Sequence, residues 1–472
     1  MHCEGIAFRK VTAISSFQSC HIDLVFCVQK SVIKMAQLNK LRLIISAARP
    51  HLLRGGWASA DALIAPAALF FLSPWLLLRL GTEGFGQWVL ALTISGFAHV
   101  ASLGAGVATM YAVADFNAKN EKEKLVNTIK TGFSLALVTS LVLMAFAWFA
   151  VAPIVNLVFL KMGDSHTVAV VLLLGISALA LQEIDSVFSG TLRGIQRYDL
   201  VALLELLGRP IWAVCIAVVA YTTSNVVSVL IAHNVCYMIK LVIRIRMTSF
   251  VLQEKCFGFT NSIKNITNLA KFGKWISLQS IGGVMFATMD KVFVGWLFGS
   301  SELTRYSICI QVVQFCHSIQ AAAFQIITPW AAQKKNAWKA AYAKFNFLKF
   351  SLCVGFSSLI LPFILIGCSR IILELWMGVA FATNNVDLLR LLLVGMAILA
   401  FTIPAHYVLL GLGKAKFSAI LLFIAGLASL ICSASLAGFG LMGFAFGRMM
   451  YGAIACLYLV PISRINYQDT YL

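Results

Sequence analysis

Charged residues are scarce in this sequence. They make up 12% of its 472 residues, whereas 60% of the residues are hydrophobic. A typical soluble globular domain carries about 25% charged residues, which it needs to cover a surface that faces water. The composition therefore excludes an ordinary soluble domain and predicts a chain whose solvent is lipid.

Two kinds of chemical motif are also missing. No Gly-x-x-x-x-Gly-Lys-Ser/Thr loop occurs, which excludes ATP hydrolysis by a P-loop. The twelve cysteines form no Cys-x-x-Cys pair and no cluster with histidine at metal-binding spacing. We therefore expect no disulfide framework, no metal site and no cofactor.

Acidic residues are the scarcer of the two charge types. The sequence has 18 Asp and Glu against 37 Lys and Arg, which gives a formal net charge of +19. In a soluble protein such an excess would suggest a nucleic-acid partner. Here the basic residues lie between hydrophobic stretches, so membrane topology explains them and we expect no nucleic-acid partner.

Long apolar segments dominate the rest of the chain. A membrane-spanning helix needs about 20 mostly apolar residues, and twelve segments meet this requirement. They are residues 57–80, 87–113, 131–151, 167–189, 200–221, 225–243, 275–298, 306–330, 347–367, 388–412, 417–436 and 441–461. The sequence therefore predicts an all-α integral membrane protein with twelve transmembrane helices.

The loops between these segments differ in charge. If both termini are cytoplasmic, the outward loops hold few basic residues, and the inward segments hold most of the others, including Arg244 and Arg246 after the sixth span. The outward basic residues are Arg79, Lys161, Arg305, Arg370 and Arg390. This is the positive-inside pattern, and it predicts a multi-pass membrane protein with both termini inside.

The two halves of the apolar region repeat each other. The first span opens at Gly55-Gly-Trp-Ala-Ser and the seventh at Gly273-Lys-Trp-Ile-Ser, an offset of 218 residues. Gly81 and Gly299, which end these spans, have the same offset. A loop at 194–198 matches one at 413–417 at an offset of 219. The halves are thus predicted to be two six-helix bundles in one orientation, enclosing a cavity and giving alternating access.

The repeat divides the chain into five predicted segments. Residues 1–34 lack the features of a signal peptide, and we expect them to be disordered or to precede a natural start near Met35. The segments are a basic cytoplasmic N-terminus (1–54), an N-terminal six-helix bundle (55–246), a cytoplasmic linker (247–272), a C-terminal six-helix bundle (273–464) and a cytoplasmic tail (465–472).

Three short motifs resemble those of a known family. The stretch from Asp290 to Gly299 resembles the Asp-Arg/Lys-x-x-x-Gly-x-x-x-Gly end of the seventh helix in polysaccharide-export flippases. Tyr306-Ser-Ile is similar to the start of their next helix, and Gly194-Ile-Gln-Arg-Tyr to the turn between their fourth and fifth helices. Over residues 52–461 the chain resembles O-antigen flippases of the Wzx type, in the multidrug/oligosaccharidyl-lipid/polysaccharide exporter superfamily.

The resemblance implies a transporter and not an enzyme. Its substrate would be an undecaprenyl-pyrophosphate-linked oligosaccharide, an O-antigen or related polysaccharide repeat unit, moved from the cytoplasmic to the periplasmic leaflet. Its partners would be this lipid-linked substrate, the membrane lipids, a polysaccharide polymerase and a chain-length regulator.

Four cations at membrane depth are the predicted substrate-binding groups: Arg209, Lys240, Lys291 and Arg448. Lys and Arg that face a wet cavity lower the cost of moving an anionic headgroup through hydrocarbon. Each could instead form an ion pair or extend to the interface, and Glu205 lies four residues before Arg209, a spacing that allows pairing. Arg448 has no acidic residue within a helical turn, which favours it as the cavity cation.

Two carboxylates, Asp61 and Asp290, are the predicted ion-coupling groups. A carboxylate in a transporter cavity can bind a proton or a sodium ion and couple its gradient to transport. Asp61 lies about one turn before Pro66, where an interrupted helix frees a carbonyl for a cation. Four histidines lie in different predicted spans, and we interpret each as a satisfied core residue. They are His99, His233, His317 and His406.

Three other functions remain open at this level. A drug or cation antiporter of the same superfamily would have a cavity lined by carboxylates without Arg or Lys. A lipid II flippase would share the mechanism and differ in substrate. A membrane-bound polysaccharide polymerase or acyltransferase would need catalytic residues on sizeable loops, and the largest predicted outward loop covers only residues 368–387.

Overall fold

The structure is a computed structural model that describes residues 64, 66–97, 105–255, 257–259, 288–328, 330–332 and 347–468. These residues are almost entirely helical, and no strand occurs among them. The all-α class predicted from the apolar segments is therefore confirmed. The described residues belong to one compact unit that begins at Ser59.

The helices follow one another with short connections. Residues 66–95 are helical and Gly81, with a φ of +69°, turns the chain within them. The helices after them are α1 (Ala105–Ala118), α2 (Lys122–Val158), α3 (Ser165–Gly194), α4 (Tyr198–Thr223), α5 (Val226–Leu252), α6 (Asp290–Phe298), α7 (Ser300–Phe324), α8 (Phe347–Ser358), α9 (Ile360–Met377), α10 (Val379–Gly411), α11 (Ala415–Ser435), α12 (Gly440–Gly447), α13 (Met449–Ala455) and α14 (Leu459–Gln468).

Nine helical stretches in the described part of the chain are long and apolar enough to cross a membrane. They coincide with the third to sixth and the eighth to twelfth predicted spans. The remaining three predicted spans, 57–80, 87–113 and 275–298, each include residues outside the described ranges. The count of twelve thus stays a prediction.

The observed helices extend beyond the predicted spans. A hydropathy pattern marks only the part of a helix in hydrocarbon, whereas the hydrogen-bonded helix continues through polar turns on either side. The predicted outward loop at 368–387 is wrong for this reason: α9 continues to Met377, Gly378 turns the chain at a φ of +90°, and α10 starts at Val379. The length of outward loop that a polymerase or acyltransferase would need is absent here.

Large apolar side chains cover the outside of the bundle. Trp148, Phe149 and Leu157 of α2 and Leu375 of α9 are each more than 70% exposed in the isolated chain. A soluble surface rarely carries such contiguous apolar area, but lipid tails solvate it well. This exposed apolar surface therefore faces lipid.

Helices of the N-terminal and C-terminal parts of the chain contact each other at one end of the bundle. The Thr304 hydroxyl donates to the carbonyl of Thr82 at 2.6 Å, and the Lys161 ammonium donates to the carbonyl of Leu297 at 2.9 Å. The Trp376 indole stacks on Phe70, with ring centroids 3.9 Å apart. In the predicted orientation these groups lie in the outward half of the bundle, where they hold the two parts together.

Close helix packing predicts a sensitive glycine. Gly190 of α3 lies against the carbonyl of Gly106 in α1, and a Cβ at position 190 would clash with that oxygen. We expect Gly190→Ala to lower the free energy of unfolding by about 1–3 kcal/mol, because backbones must separate. Gly208→Ala, in α4 with open space around it, should be neutral or stabilising by up to about 1 kcal/mol. Denaturant unfolding in detergent measures both, and equal effects would contradict this packing.

Candidate functional site

Five charged side chains from three helices form a network in the N-terminal part. Glu205 of α4 accepts from Arg209 at 3.0 Å, from Lys240 at 3.1 Å and from Arg244 at 2.6 Å. Asp185 of α3 lies 2.7 Å from Arg244 and 3.5 Å from Lys240. We call these five residues the N-terminal charge network; it holds three cations and two carboxylates.

The network is placed inside the helix bundle. The Arg244 side chain is 1% exposed, and Asp185 and Glu205 are close to 10%. Arg209 also donates to the Tyr237 hydroxyl at 3.2 Å, and Lys240 lies over the Tyr237 ring. Multiple pairing of each buried carboxylate offsets the cost of removing these charges from water. The network thus ties α3, α4 and α5 together and keeps one positive charge in excess.

A separate carboxylate, Glu183, lies two residues before Asp185 on α3. Glu183 is fully buried and accepts hydrogen bonds from the hydroxyls of Thr139 and Ser140 on α2. The two hydroxyl groups each donate to one oxygen of the Glu183 carboxyl group, so both oxygens have a hydrogen-bond partner without a cation. This group therefore belongs to the packing between α2 and α3.

The network includes two predicted cations and two residues, Arg244 and Asp185, that were not predicted to belong to a site. Arg209 and Lys240 are both ion-paired, as the i,i+4 spacing of Glu205 and Arg209 allowed. Arg244 was predicted to lie in the loop after the sixth span, which is wrong, because α5 continues to Leu252 and Arg244 is buried within it. The positive-inside pattern cannot separate a loop arginine from one in the last turns of a long helix. Asp185, which was not among the predicted site residues, is also part of the buried network.

A second charged cluster lies in the C-terminal part. Arg448, at the junction of α12 and α13, forms an ion pair with Asp290 at the start of α6. The Tyr306 hydroxyl of α7 donates to Asp290 at 2.8 Å and lies 3.3 Å from the Arg448 guanidinium. We call Asp290, Tyr306 and Arg448 the C-terminal triad. All three side chains are at least 90% buried.

The triad changes what was expected of two predicted residues. Arg448 has no acidic neighbour along its helix, but the fold supplies one from 158 residues away in sequence. Asp290, a predicted ion-coupling group, is already bound by a guanidinium and a hydroxyl. The Lys291 backbone N–H donates to the Asp290 carboxylate at 2.8 Å, and among the described residues no carboxylate lies within ion-pair distance of the Lys291 ammonium. Asp61 lies outside the described residues.

A cavity of about 410 Å³ adjoins the C-terminal triad. Helices α7, α10, α11 and α13 form most of its wall, and Pro66 from the N-terminal part contributes to it. Its ionisable lining residues are Arg448, His317, His406, Tyr407, Tyr451 and Tyr458. No acidic residue is among those that line it in the described part of the chain. The cavity is therefore a mostly apolar space whose chargeable groups are cationic or neutral.

Comparison with known proteins identifies the family. Residues 66–335, more than half of the chain, match the family described as polysaccharide biosynthesis protein. The chain belongs to this family. The match confirms the resemblance to polysaccharide-export proteins that the sequence motifs indicated. A Shigella flexneri protein named "Putative O-antigen transporter" is 23% identical to this chain over 370 residues, which covers 76% of this chain and 83% of that one.

Solved structures show the same fold. A multidrug resistance transporter of the MATE family and MOP superfamily, in an inward-facing conformation, matches 87% of this chain and 98% of its own at 15% identity and a TM-score of 0.70. The outward-facing conformation of such a transporter matches 88% of this chain and 96% of its own, at 17% identity and a TM-score of 0.58. A MOP-superfamily transporter from Pyrococcus furiosus matches 88% of this chain and 95% of its own, at 16% identity and a TM-score of 0.60. The described helices thus adopt the fold of MOP-superfamily transporters.

Proposed function

We propose that this protein moves an undecaprenyl-pyrophosphate-linked oligosaccharide, an O-antigen or related repeat unit, from the cytoplasmic to the periplasmic leaflet of the bacterial inner membrane. The observation that carries the proposal is the polarity of the cavity. Arg448 and two histidines line it, and no described lining residue is acidic. A cavity with cationic groups and no carboxylate in its described lining suits a pyrophosphate headgroup and is unsuited to an organic cation.

Family and relatives support the same choice of substrate. The matching family is one of polysaccharide biosynthesis, and the Shigella flexneri relative is named for O-antigen transport. An enzyme reading has less support, because the outward segment between α9 and α10 consists of a single turn at Gly378. Lipid II transport remains a second candidate, since its pyrophosphate would meet the same cations.

The mechanism we propose is alternating access with both termini cytoplasmic. The contacts of Thr82 with Thr304, Lys161 with Leu297 and Phe70 with Trp376 hold the outward half of the bundle together. A structure closed at that end can admit a headgroup only from the cytoplasmic side. The higher TM-score to the inward-facing MATE conformation than to the outward-facing one supports this assignment of state.

The two charged clusters have different parts in this proposal. The N-terminal charge network keeps one excess positive charge, with Arg209 and Lys240 its more exposed members. These two cations and Arg448, which lines the cavity, would attract the headgroup. Lys291, next to Asp290 in the sequence, would add a further cation near the triad. Coupling to a proton or sodium gradient through Asp61 or Asp290 is part of the proposal.

Reconstitution into liposomes tests the function directly. Purified protein is inserted with a fluorescent undecaprenyl-pyrophosphate oligosaccharide, and an impermeant reagent scores the label in each leaflet over time. We expect transfer between leaflets well above that of protein-free liposomes, with no new covalent product. Lipid II and a fluorescent organic cation serve as parallel substrates. Transfer of the cation alone would overturn the proposal in favour of an antiporter, and a new glycan product would overturn it in favour of an enzyme.

A further inference from the structure

One basic residue on the outward side lacks the partner that the others have. The other four bind an oxygen of the described chain: Lys161 the Leu297 carbonyl, Arg305 Glu302, Arg370 Glu374, and Arg390 Asp387. Arg79 forms no ion pair with a described carboxylate, and its buried Nε has no hydrogen-bond partner among the described residues. Because the charge pattern keeps basic residues scarce on this side, we expect a partner for Arg79 from outside the chain.

An aromatic ring holds the Arg79 guanidinium in place. The central carbon of this guanidinium lies 4.0 Å from the centroid of the Tyr221 ring on α4, which is a cation–π contact. The next carboxylate along the chain, Glu83, follows the turn at Gly81 and accepts from Gln87 at 3.5 Å. With Nε enclosed and one face on the ring, the two terminal amino groups of Arg79 are the donors left for a ligand.

Arg79 and Tyr221 lie where the membrane meets water. Arg79 comes two residues before the turn at Gly81, and Tyr221 two residues before the end of α4. Residues 222–225, which follow Tyr221, are all polar and exposed. Trp75 and Tyr221 are both more than half exposed, and such aromatic side chains are typical of the headgroup region of a bilayer. The Arg79 guanidinium is therefore at the depth of lipid phosphates, in the outward leaflet of the proposed topology.

Two stripes of apolar side chains lead from this pair toward the middle of the membrane. Their members, all more than half exposed, are Phe71, Trp75 and Leu78 before Gly81, and Ile211, Val214 and Val218 on α4. Each stripe has three- and four-residue spacings, which place its side chains on one face of a helix. The contact of Arg79 with Tyr221 joins the outward ends of the two helices. The stripes thus form an apolar surface that ends at a cation.

We propose that Arg79 and Tyr221 form a binding site for an anionic phospholipid, whose phosphate binds the guanidinium and whose acyl chains lie along the two stripes. A guanidinium binds two phosphate oxygens in a fork. One phosphodiester charge balances the one charge of Arg79, whereas a zwitterionic headgroup brings no net charge to do so. The adjoining apolar surface favours a lipid over a soluble phosphate. Neither residue lines the cavity beside the C-terminal triad, so this site is separate from that cavity.

Native mass spectrometry of the full chain in a neutral detergent tests the lipid preference. Phosphatidylglycerol and phosphatidylcholine with the same acyl chains are added over one concentration range, and the fraction of protein with a bound lipid is read from the mass. We expect the first phosphatidylglycerol to bind about tenfold more tightly than phosphatidylcholine. Equal binding of the two lipids would overturn the proposal. This comparison uses the wild-type chain, so it does not depend on the folding of a variant.

Variants assign the preference to the site. Arg79→Met should remove most of it, and Arg79→Lys should keep part of it, because an ammonium has the charge but not the fork. Tyr221→Leu should weaken it by loss of the ring. The matched control is Arg370→Met, since Arg370 is also on the predicted outward side and 64% exposed but is paired with Glu374. A preference that survives Arg79→Met, or that Arg370→Met reduces equally, would contradict the assignment.

Cross-linking and competition identify the place and the kind of lipid. Phosphatidylglycerol with a photoreactive group near its phosphate should label peptides that contain Arg79 or Tyr221 in liposomes, and labelling confined to other helices would contradict the proposal. Undecaprenyl phosphate at equal concentration should leave most of this labelling in place. If it displaces phosphatidylglycerol, the site binds a polyprenyl phosphate and the phospholipid assignment is wrong. None of these measurements requires lipid transfer, so their outcome is independent of the proposed function.

Discussion

Replacing Arg448 with methionine should lower the free energy of unfolding by about 3–5 kcal/mol. Arg448 and Asp290 are both at least 90% buried, and each neutralises the charge of the other in their ion pair. Removing the guanidinium leaves the Asp290 carboxylate with two neutral donors, the Tyr306 hydroxyl and the Lys291 backbone N–H. A buried charge without a counter-charge costs several kcal/mol, whereas the volume of the side chain is nearly kept by methionine.

A double variant distinguishes stability from function. Arg448→Met combined with Asp290→Leu removes both charges, so we expect it to regain most of the lost stability, because apolar replacements of a buried pair are often neutral. Lipid transfer should stay low in the double variant, since the cavity still lacks the guanidinium donors. Recovery of both properties would show that Arg448 has only a structural role.

An exposed pair of the same types provides the control. Arg390 lies 3.5 Å from Asp387 on α10, and both side chains are about half exposed or more. Arg390→Met should change stability by less than about 1 kcal/mol, because solvent screens exposed pairs. Unfolding of all four proteins in detergent, followed by circular dichroism, gives the comparison. A loss at Arg390 equal to that at Arg448 would mean that burial of the pair does not set its effect.

The helices could be predicted from the sequence because their cause is local. A span needs about 20 apolar residues in succession, and the nine spans of the described part all coincide with predicted ones. The repeat also has a local cause at two of its landmarks: Gly81 and Gly299 have φ values of +69° and +88°, which glycine adopts without strain. The third landmark differs, since Gly413 has a positive φ whereas Gln196 takes that conformation in the other loop.

The charged clusters could be predicted only where their partners are local. Glu205 and Arg209 are four residues apart on one helix, and that spacing indicated the pair that the structure shows. Asp290 and Arg448 meet because α6 and the α12–α13 junction pack together, which no spacing in the sequence encodes. The same holds for His317 and His406. Sequence therefore identified Glu205, Arg209, Lys240, Asp290 and Arg448 as intramembrane ionisable groups but missed Arg244 and Asp185, and only the fold shows which of them are partners.

Arg244 shows how tertiary structure changes the role of a residue that the charge pattern assigned to a loop. We expect Arg244→Met to lower the free energy of unfolding by about 3–5 kcal/mol. Its guanidinium contacts Asp185 and Glu205 at 2.7 Å and 2.6 Å with 1% exposure. Without the Arg244 guanidinium, Lys240 would be the one cation of the network in contact with Asp185, and Glu205 would keep Lys240 and Arg209 as partners. Asp185 would keep only a 3.5 Å contact.

Arg246 is the matched control, because it lies two residues later on α5 and is exposed. Arg246→Met should change the free energy of unfolding by no more than about 0.5 kcal/mol, as surface substitutions usually do. Arg244→Lys should fall between wild type and Arg244→Met, since one ammonium cannot reproduce the fork that reaches both carboxylates. Denaturant unfolding in detergent measures the series. If Arg244→Met and Arg246→Met destabilise equally, the contacts of Arg244 with Asp185 and Glu205 do not stabilise the fold, and the N-terminal charge network is free to rearrange around a headgroup.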